Sequence, residues 1–358
     1  MPDYKRQHYV PRCYLKPFTL DDAGAAINLY NIPRSRAVQN APAKGQCAKN
    51  YLYGHDLELE RVLQLFEGEY ARIIRVLQEA TKQPTMQDLA ALRDFAYLQY
   101  ARTDMAIKRM RIMQEGMMHN VIFEGRPVTP SDLDLSDRAM MLTSLQLYVD
   151  IREYIEDLKN CVIKNETRFD FVTSDDPSIF TSRFHIQKLG VNSFGMVSSG
   201  ALFFMPLTPR LLLMCYDGSV YTIPNKKSCY TSITSKGDVS ALNELQYLKA
   251  AENIYFSRWD DRDRVEREFH EVSPRRPQSW CNFSVWVPDG STEEGDRYRR
   301  ATEKETRTAP ERMVAMSGLH AAPSGWISKL KYRHPLRTYF DGSAAGHVRK
   351  AKWLKRDR

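Results

Sequence analysis

A chain of 358 residues, 42% hydrophobic and 27% charged, has an ordinary globular composition and the length of one large or two medium domains. The opening segment is polar, and the longest apolar candidate, residues 201–216, is interrupted by Pro206, Pro209 and Arg210. These features argue against secretion and membrane spanning and for a cytoplasmic protein. The formal net charge of +8 sits at one end, because residues 311–358 hold eleven Lys or Arg against three acidic residues.

Residues 1–53 read as extended and turn-rich, with short apolar stretches between Pro11, Pro17, Gly24 and Pro33. From Asp56, Val62, Leu63, Phe66, Tyr70, Ile73, Ile74 and Leu77 predict one face of an amphipathic helix. Thr85-Met86-Gln87-Asp88 predicts a capping box and a second helix running toward Met110. A loop is expected near Gly125–Pro130, then a third helix over about 137–160.

The second half changes period. Residues 169–174, 201–205, 211–216 and 220–223 predict short strands of a mainly antiparallel sheet, followed by a helix at 239–252 and a strand at 253–257. Taken together this is an α+β fold, a helical N-terminal half packed with that sheet. The expected organisation is a folded unit over 1–258, a charged linker over 259–310 and a basic C-terminal extension over 311–358. Six scattered cysteines without a CxxC pair argue for reduced, mostly buried thiols.

The string Gln7-His8-Tyr9-Val10-Pro11-Arg12, with Thr173-Ser174-Asp175-Asp176-Pro177 and Pro206-Leu207-Thr208-Pro209, resembles the domain of unknown function 4238 family. Tyr53-Gly54, Glu60 and Glu67, Gln99, Arg102-Thr103 and Asn243 extend the likeness over roughly residues 4–258. The resemblance implies a family-like α+β unit and brings no activity with it. The family pattern is Ser-Asp-Asn-Pro, so Asp176 adds a negative charge where an amide is usual.

Several polar residues sit where chemistry is conceivable. Glu60 and Glu67 are seven apart on one helix, at the edge of its apolar face. Gln99 and Arg102 share the face of Leu92 and Phe95, so Arg102 is expected either to pair with a carboxylate of the first helix or to hold an anionic substrate group. Asp175 and Asp176 follow a predicted strand, where they serve either as turn formers or as oxygen ligands for Mg²⁺ or Mn²⁺. His8 is a candidate general base and Arg12 a candidate phosphate clamp, although a lone histidine is more often a packed residue without a role.

No P-loop, GxGxxG, GxSxG or HExxH motif is present. The leading expectation is a metal-dependent phosphodiesterase or nuclease, with a role in bacterial defence, that has His8, Arg12, Glu67, Arg102 and Asp175 in its site and Asp175 and Asp176 on the metal. The rival is a non-catalytic module that binds nucleic acid or a protein. It uses Lys329, Lys331, Arg333 and Arg337, which interleave with Trp326, Tyr332, Tyr339 and Phe340, together with Lys350 and Lys352. A third reading has the polar motifs merely tie the N-terminal segment onto the helices.

Overall fold

The computed structural model describes residues 5–354 apart from 21–23, 56, 80–81, 119–121, 124–125, 128–132, 225–227, 293–294 and 344. Of the loop expected at Gly125–Pro130, only Arg126–Pro127 falls within the described residues. The chain opens with β1 (Arg6–His8), one helical turn α1 (Arg12–Leu15), β2 (Ala26–Asn31), β3 (Arg36–Pro42) and β4 (Ala48–Asn50). Antiparallel pairing of β1 with β4 sets Gln7 opposite Lys49 and His8 opposite Ala48.

Helices α2 (Glu58–Gln78), α3 (Met86–Ala101) and α4 (Asp104–Met118) follow, then the short strands β5 (Ile122–Phe123) and β6 (Arg126–Pro127) and helix α5 (Asp137–Asp150). Leu63, Tyr70, Ile73, Ile74 and Leu77 of α2 are buried at helical spacing, whereas Val62 and Phe66, expected beside them, are exposed. The capping box at the start of α3 is present: the Thr85 hydroxyl accepts the Asp88 amide at 3.1 Å, and the Asp88 carboxylate accepts the Thr85 amide at 2.8 Å. The second helix does not run unbroken toward Met110. The backbone leaves helical geometry at Arg102, and the Thr103 hydroxyl accepts the Ala106 amide at 3.2 Å, starting α4 afresh.

The third helix ends at Asp150, short of the expected 160, because Lys159–Asn165 is a strand, β7. Its neighbours are β9 (Ile179–Thr181), β10 (Leu202–Thr208), β11 (Leu211–Tyr216) and β13 (Tyr230–Ile233). They form a five-stranded sheet in the order β13-β7-β11-β10-β9, antiparallel except where β13 runs parallel to β7. This sheet is covered on both faces, so its strands are continuous apolar runs whose alternate residues enter different cores. Val162, Phe203, Met205 and Leu213 pack in the core that also holds α2, α3 and α5 residues. Cys161, Ile163, Phe204, Leu212 and Met214 enter a second core with Val239, Leu242 and Leu245 of helix α6 (Lys236–Lys249).

A four-stranded antiparallel sheet joins distant segments in the order β3-β2-β14-β8, where β8 is Thr173–Ser174 and β14 is Asn253–Phe256. Beyond it, the charged stretch expected as a linker is structured. It contains helix α7 (Arg262–Val272), strands β15 (Cys281–Thr292) and β16 (Gly295–Arg300) and the turn α8 (Glu305–Thr308). Val265, Phe269 and Val272 of α7 enter the second core, giving this sequence a reason to fold that its charge density concealed.

The C-terminal region is likewise built into the molecule. Strand β17 (Met313–Gly318) pairs with β15, and β18 (Lys331–Tyr332) pairs with β12 (Tyr221–Thr222). Ala321, Ile327 and Leu330 are buried in the second core. Arg349, counted among the basic excess, is buried and donates to the carbonyls of Met196 at 2.6 Å and Ser198 at 2.9 Å and to the Asp157 carboxylate at 3.2 Å. Four of the cysteines are buried, two are partly buried, and all are unpaired thiols. No helix among the described residues is long and apolar enough to cross a membrane.

Candidate functional site

The N-terminal motif is locked by the Gln7 side chain and by its own carbonyls. Gln7 Nε2 donates to the Gly54 carbonyl at 2.9 Å, and Oε1 accepts the Tyr53 main-chain amide at 2.6 Å. Arg102, released from α3 by the helix break, donates to the His8 carbonyl and to Glu67 Oε1, both at 2.8 Å, and to the Tyr53 hydroxyl at 3.2 Å. Gln99, one turn earlier, donates to the Tyr9 carbonyl at 2.7 Å. Arg102 thus joins the His8 main chain, and not its imidazole, to the Glu67 carboxylate, and Arg102 is buried while Glu67 keeps partial contact with solvent. Burial depresses the His8 imidazole, and its Nε2 is enclosed with no protein partner among the described residues, as are Gln99 Oε1 and Arg102 Nη1. Glu60 lies close enough to Glu67 that burial and this like charge raise its carboxyl. Arg12 is exposed on the turn after the motif.

Asp175 and Asp176 are adjacent in sequence and used in different directions. Asp175 accepts three main-chain amides that open β14, from Ala251 at 2.8 Å, Glu252 at 2.7 Å and Asn253 at 3.1 Å. Burial lifts its carboxyl to about 7, against the pull of these donors. Asp176 is fully buried: Oδ1 accepts the Thr103 hydroxyl at 2.7 Å, while Oδ2 meets Arg109 Nη1 at 3.1 Å and Lys249 Nζ at 3.2 Å. Each carboxylate thus accepts three protein donors, of the about four that its two oxygens can take, and the two serve different partners. No group of three or more His, Cys, Asp or Glu among the described residues is arranged to hold a metal ion. Among the described residues Asp175 shares no hydrogen bond with His8, Glu67 or Arg102, although its charge reaches Tyr9 beside His8, and Thr103, next to Arg102, donates to Asp176.

On the other side of Asp176 lies a cavity of about 300 Å³. Helices α3, α4 and α5 supply Tyr97, Tyr100, Ala106, Arg109, Met110, Met113 and Tyr148; residues 180–196 supply Phe180, Phe194 and Met196; the C-terminal region supplies Trp280, Cys281, Met316, Leu319 and His320. Arg109 projects from this wall, with Nη2 donating to the Tyr100 carbonyl at 2.8 Å and Cζ lying 4.6 Å from the Tyr100 ring centre. Lys249 Nζ lies 4.3 Å from the same ring and donates to the Ser178 carbonyl at 2.7 Å. Complete burial lowers Lys249 to about 7, opposed by Asp176. His320, stacked on Phe194 at 4.3 Å and bonded to its carbonyl at 2.8 Å, is held neutral, burial pushing it down to about 3.

The six basic residues assigned to nucleic acid have different local surroundings. Lys331 lies in β18, Arg333 donates to the Gly218 carbonyl at 2.9 Å, and Lys329 is half-buried. Lys350 and Lys352 flank the Trp353 ring and approach Asp157 and Glu153, while Arg337 is exposed.

Residues 6–260 match the family described as protein of unknown function (DUF4238). The chain belongs to that family. No curated protein and no solved structure matches the chain. The DUF4238 region therefore contains the N-terminal lock, both aspartates, Arg109 and Lys249, and residues 280–320 close the cavity from outside it.

Sequence reasoning found His8, Glu67, Arg102 and both aspartates but missed Arg109, Lys249 and His320. Arg109 and Lys249 sit in patterns that read as solvated helix surface, and His320 lies beyond the recognisable region. One signal was available: Asp176, a carboxylate where the family pattern has an amide, calls for a buried cation.

Proposed function

We propose that the protein binds a compact, mostly apolar small molecule in the cavity between α3, α4, α5 and β17. The observation that carries this reading is the cavity's lining: a half-open concavity of about 300 Å³ walled mainly by aromatic and methionine side chains, with Arg109, His320 and Ser144 among its polar points. Ligand sites are commonly of this kind, apolar concavities with a few fixed polar groups beside residues of shifted pKa. The N-terminal lock fits the reading as scaffold, because it fixes the end of α3 and the start of α4 from which Tyr100, Ala106 and Arg109 project.

The test is titration of the full chain with naphthalene-2-carboxamide, a neutral two-ring probe, followed by calorimetry. Ala106→Leu places a larger side chain on the cavity wall in a helix that favours leucine. Saturable binding that Ala106→Leu removes, with unfolding by urea unchanged, supports the reading; binding unaffected by this variant refutes it.

A second reading, binding or cleavage of phosphodiesters, draws support from the Glu67–Arg102 pair beside the His8 main chain and from the exposure of Arg12, Lys331 and Arg337. It expects Mn²⁺- or Mg²⁺-supported cleavage of nucleic acid that Glu67→Gln abolishes, or salt-sensitive binding that a Lys331→Glu/Arg337→Glu variant weakens. Neither effect with single- or double-stranded substrates would sink it.

A further inference from the structure

Resting on the cavity reading, we infer that the molecule bound there carries a carboxylate, which pairs with Arg109 while its apolar body lies among Tyr100, Phe180, Phe194 and Trp280. The argument is one of charge. Arg109 and Lys249 both engage the same oxygen of Asp176, at 3.1 and 3.2 Å, and their charges stand 4.6 and 4.3 Å from one tyrosine ring. Asp176 is the one carboxylate whose field reaches either of them strongly. Asp175, beside Asp176 and raised to about 7 by burial and by that neighbour, is turned to the amides of residues 251–253; the other titratable groups acting in this cluster are Tyr100, Cys281, His320 and His185. Burial keeps each of these neutral, raising the tyrosine and the thiol and lowering the histidines to about 3 and 4.

Two buried cations thus share one anion. A surplus buried charge is costly, and it is relieved either by loss of a proton or by arrival of an opposite charge. Arg109 cannot lose its proton, so the loss falls on Lys249. Arg109 also lines the cavity and uses two of its five N–H donors in bonds to Asp176 and Tyr100. A carboxylate entering the cavity meets donors that are already oriented, and its charge lets Lys249, behind Tyr100, regain a proton. Binding and protonation are therefore coupled: the carboxylate binds together with a proton whenever the solution is more alkaline than the range in which free Lys249 titrates.

The experiment is isothermal calorimetry of the full chain at pH 8 with naphthalene-2-carboxylate and naphthalene-2-carboxamide, in two buffers of unequal ionisation enthalpy. The carboxylate is expected to bind about ten-fold or more tightly than the amide, with uptake of close to one proton. Lys249→Met is expected to keep binding but lose the proton uptake, and Arg109→Met to bring the two probes level. Equal affinity of the probes for the native chain overturns the inference and leaves the cavity reading intact; no binding of either probe overturns both. If Arg109→Met does not fold, the probe comparison and the Lys249→Met proton count still decide, since carboxylate binding without proton uptake at pH 8 removes the coupling.

Discussion

Replacing Arg102 with methionine tests whether the motif residues form a structural tie. The side chain is 1% exposed and makes three hydrogen bonds, to the His8 carbonyl, the Tyr53 hydroxyl and Glu67. Charge-assisted bonds contribute about 1.5–3 kcal/mol each and are not additive. Two features reduce the total: the His8 carbonyl keeps the Tyr53 hydroxyl at 3.1 Å, and Glu67, 24% exposed, regains water when its partner is lost. Methionine also restores part of the buried apolar volume. The expected loss is about 3 kcal/mol, the lower end for breaking a buried pair. Urea unfolding followed by far-ultraviolet circular dichroism reads this as a lower midpoint at unchanged slope. In a double-mutant cycle with Glu67→Gln the coupling is expected at about 1 kcal/mol, given the exposure of the carboxylate. A loss below about 1 kcal/mol for Arg102→Met would refute the tie and return Arg102 to the list of substrate-binding candidates.

Three further outcomes follow from the packing and the buried charges. Lys249 is depressed to about 7, so its stabilising contribution is full above its unfolded pKa near 10.5 and is lost as pH falls through 7. Stability should therefore rise by about 2–3 kcal/mol between pH 7 and 9, and Lys249→Met should flatten that rise; a native chain with no such slope contradicts the assignment. Gly116→Ala normally strengthens a helix by about 1 kcal/mol, but here a Cβ would come within 2.2 Å of the Phe283 ring. A net loss of about 1–3 kcal/mol is expected instead, relieved by Phe283→Ala, and a gain in thermal stability would show that α4 and β15 are not so close. Ending the chain after Asp260 strips Ala321, Ile327 and Leu330 from the second core. That truncation should bind a hydrophobic dye and lose cooperative unfolding, whereas a soluble, cooperative 1–260 fragment would show that the DUF4238 region folds alone.

The sequence by itself determined the local elements whose signal is periodic or covalently short-range. The α2 stripe, the Thr85–Asp88 cap, the β10 and β11 runs and α6 followed from spacing and side-chain chemistry alone. It also offered Arg102 a carboxylate of α2, Glu67 or Glu60, as its partner, and the fold forms the pair with Glu67. What it could not supply was direction. Asp175 and Asp176 read as a pair, yet the chain bends there and the two side chains take different partners: one closes a main-chain turn and the other is shared by two cations. The charged 259–310 stretch and the basic C-terminus read as appendages because charge density hides a narrow apolar stripe. Only the tertiary fold brings Val265, Phe269, Leu330 and Arg349 into the interior. The cavity is the clearest case: its walls come from residues 97–113, 144–151, 180–196, 280–281 and 316–320. A concave surface built from five separated segments has no periodicity in any of them, so tertiary packing alone decides that it exists and that Arg109 faces it.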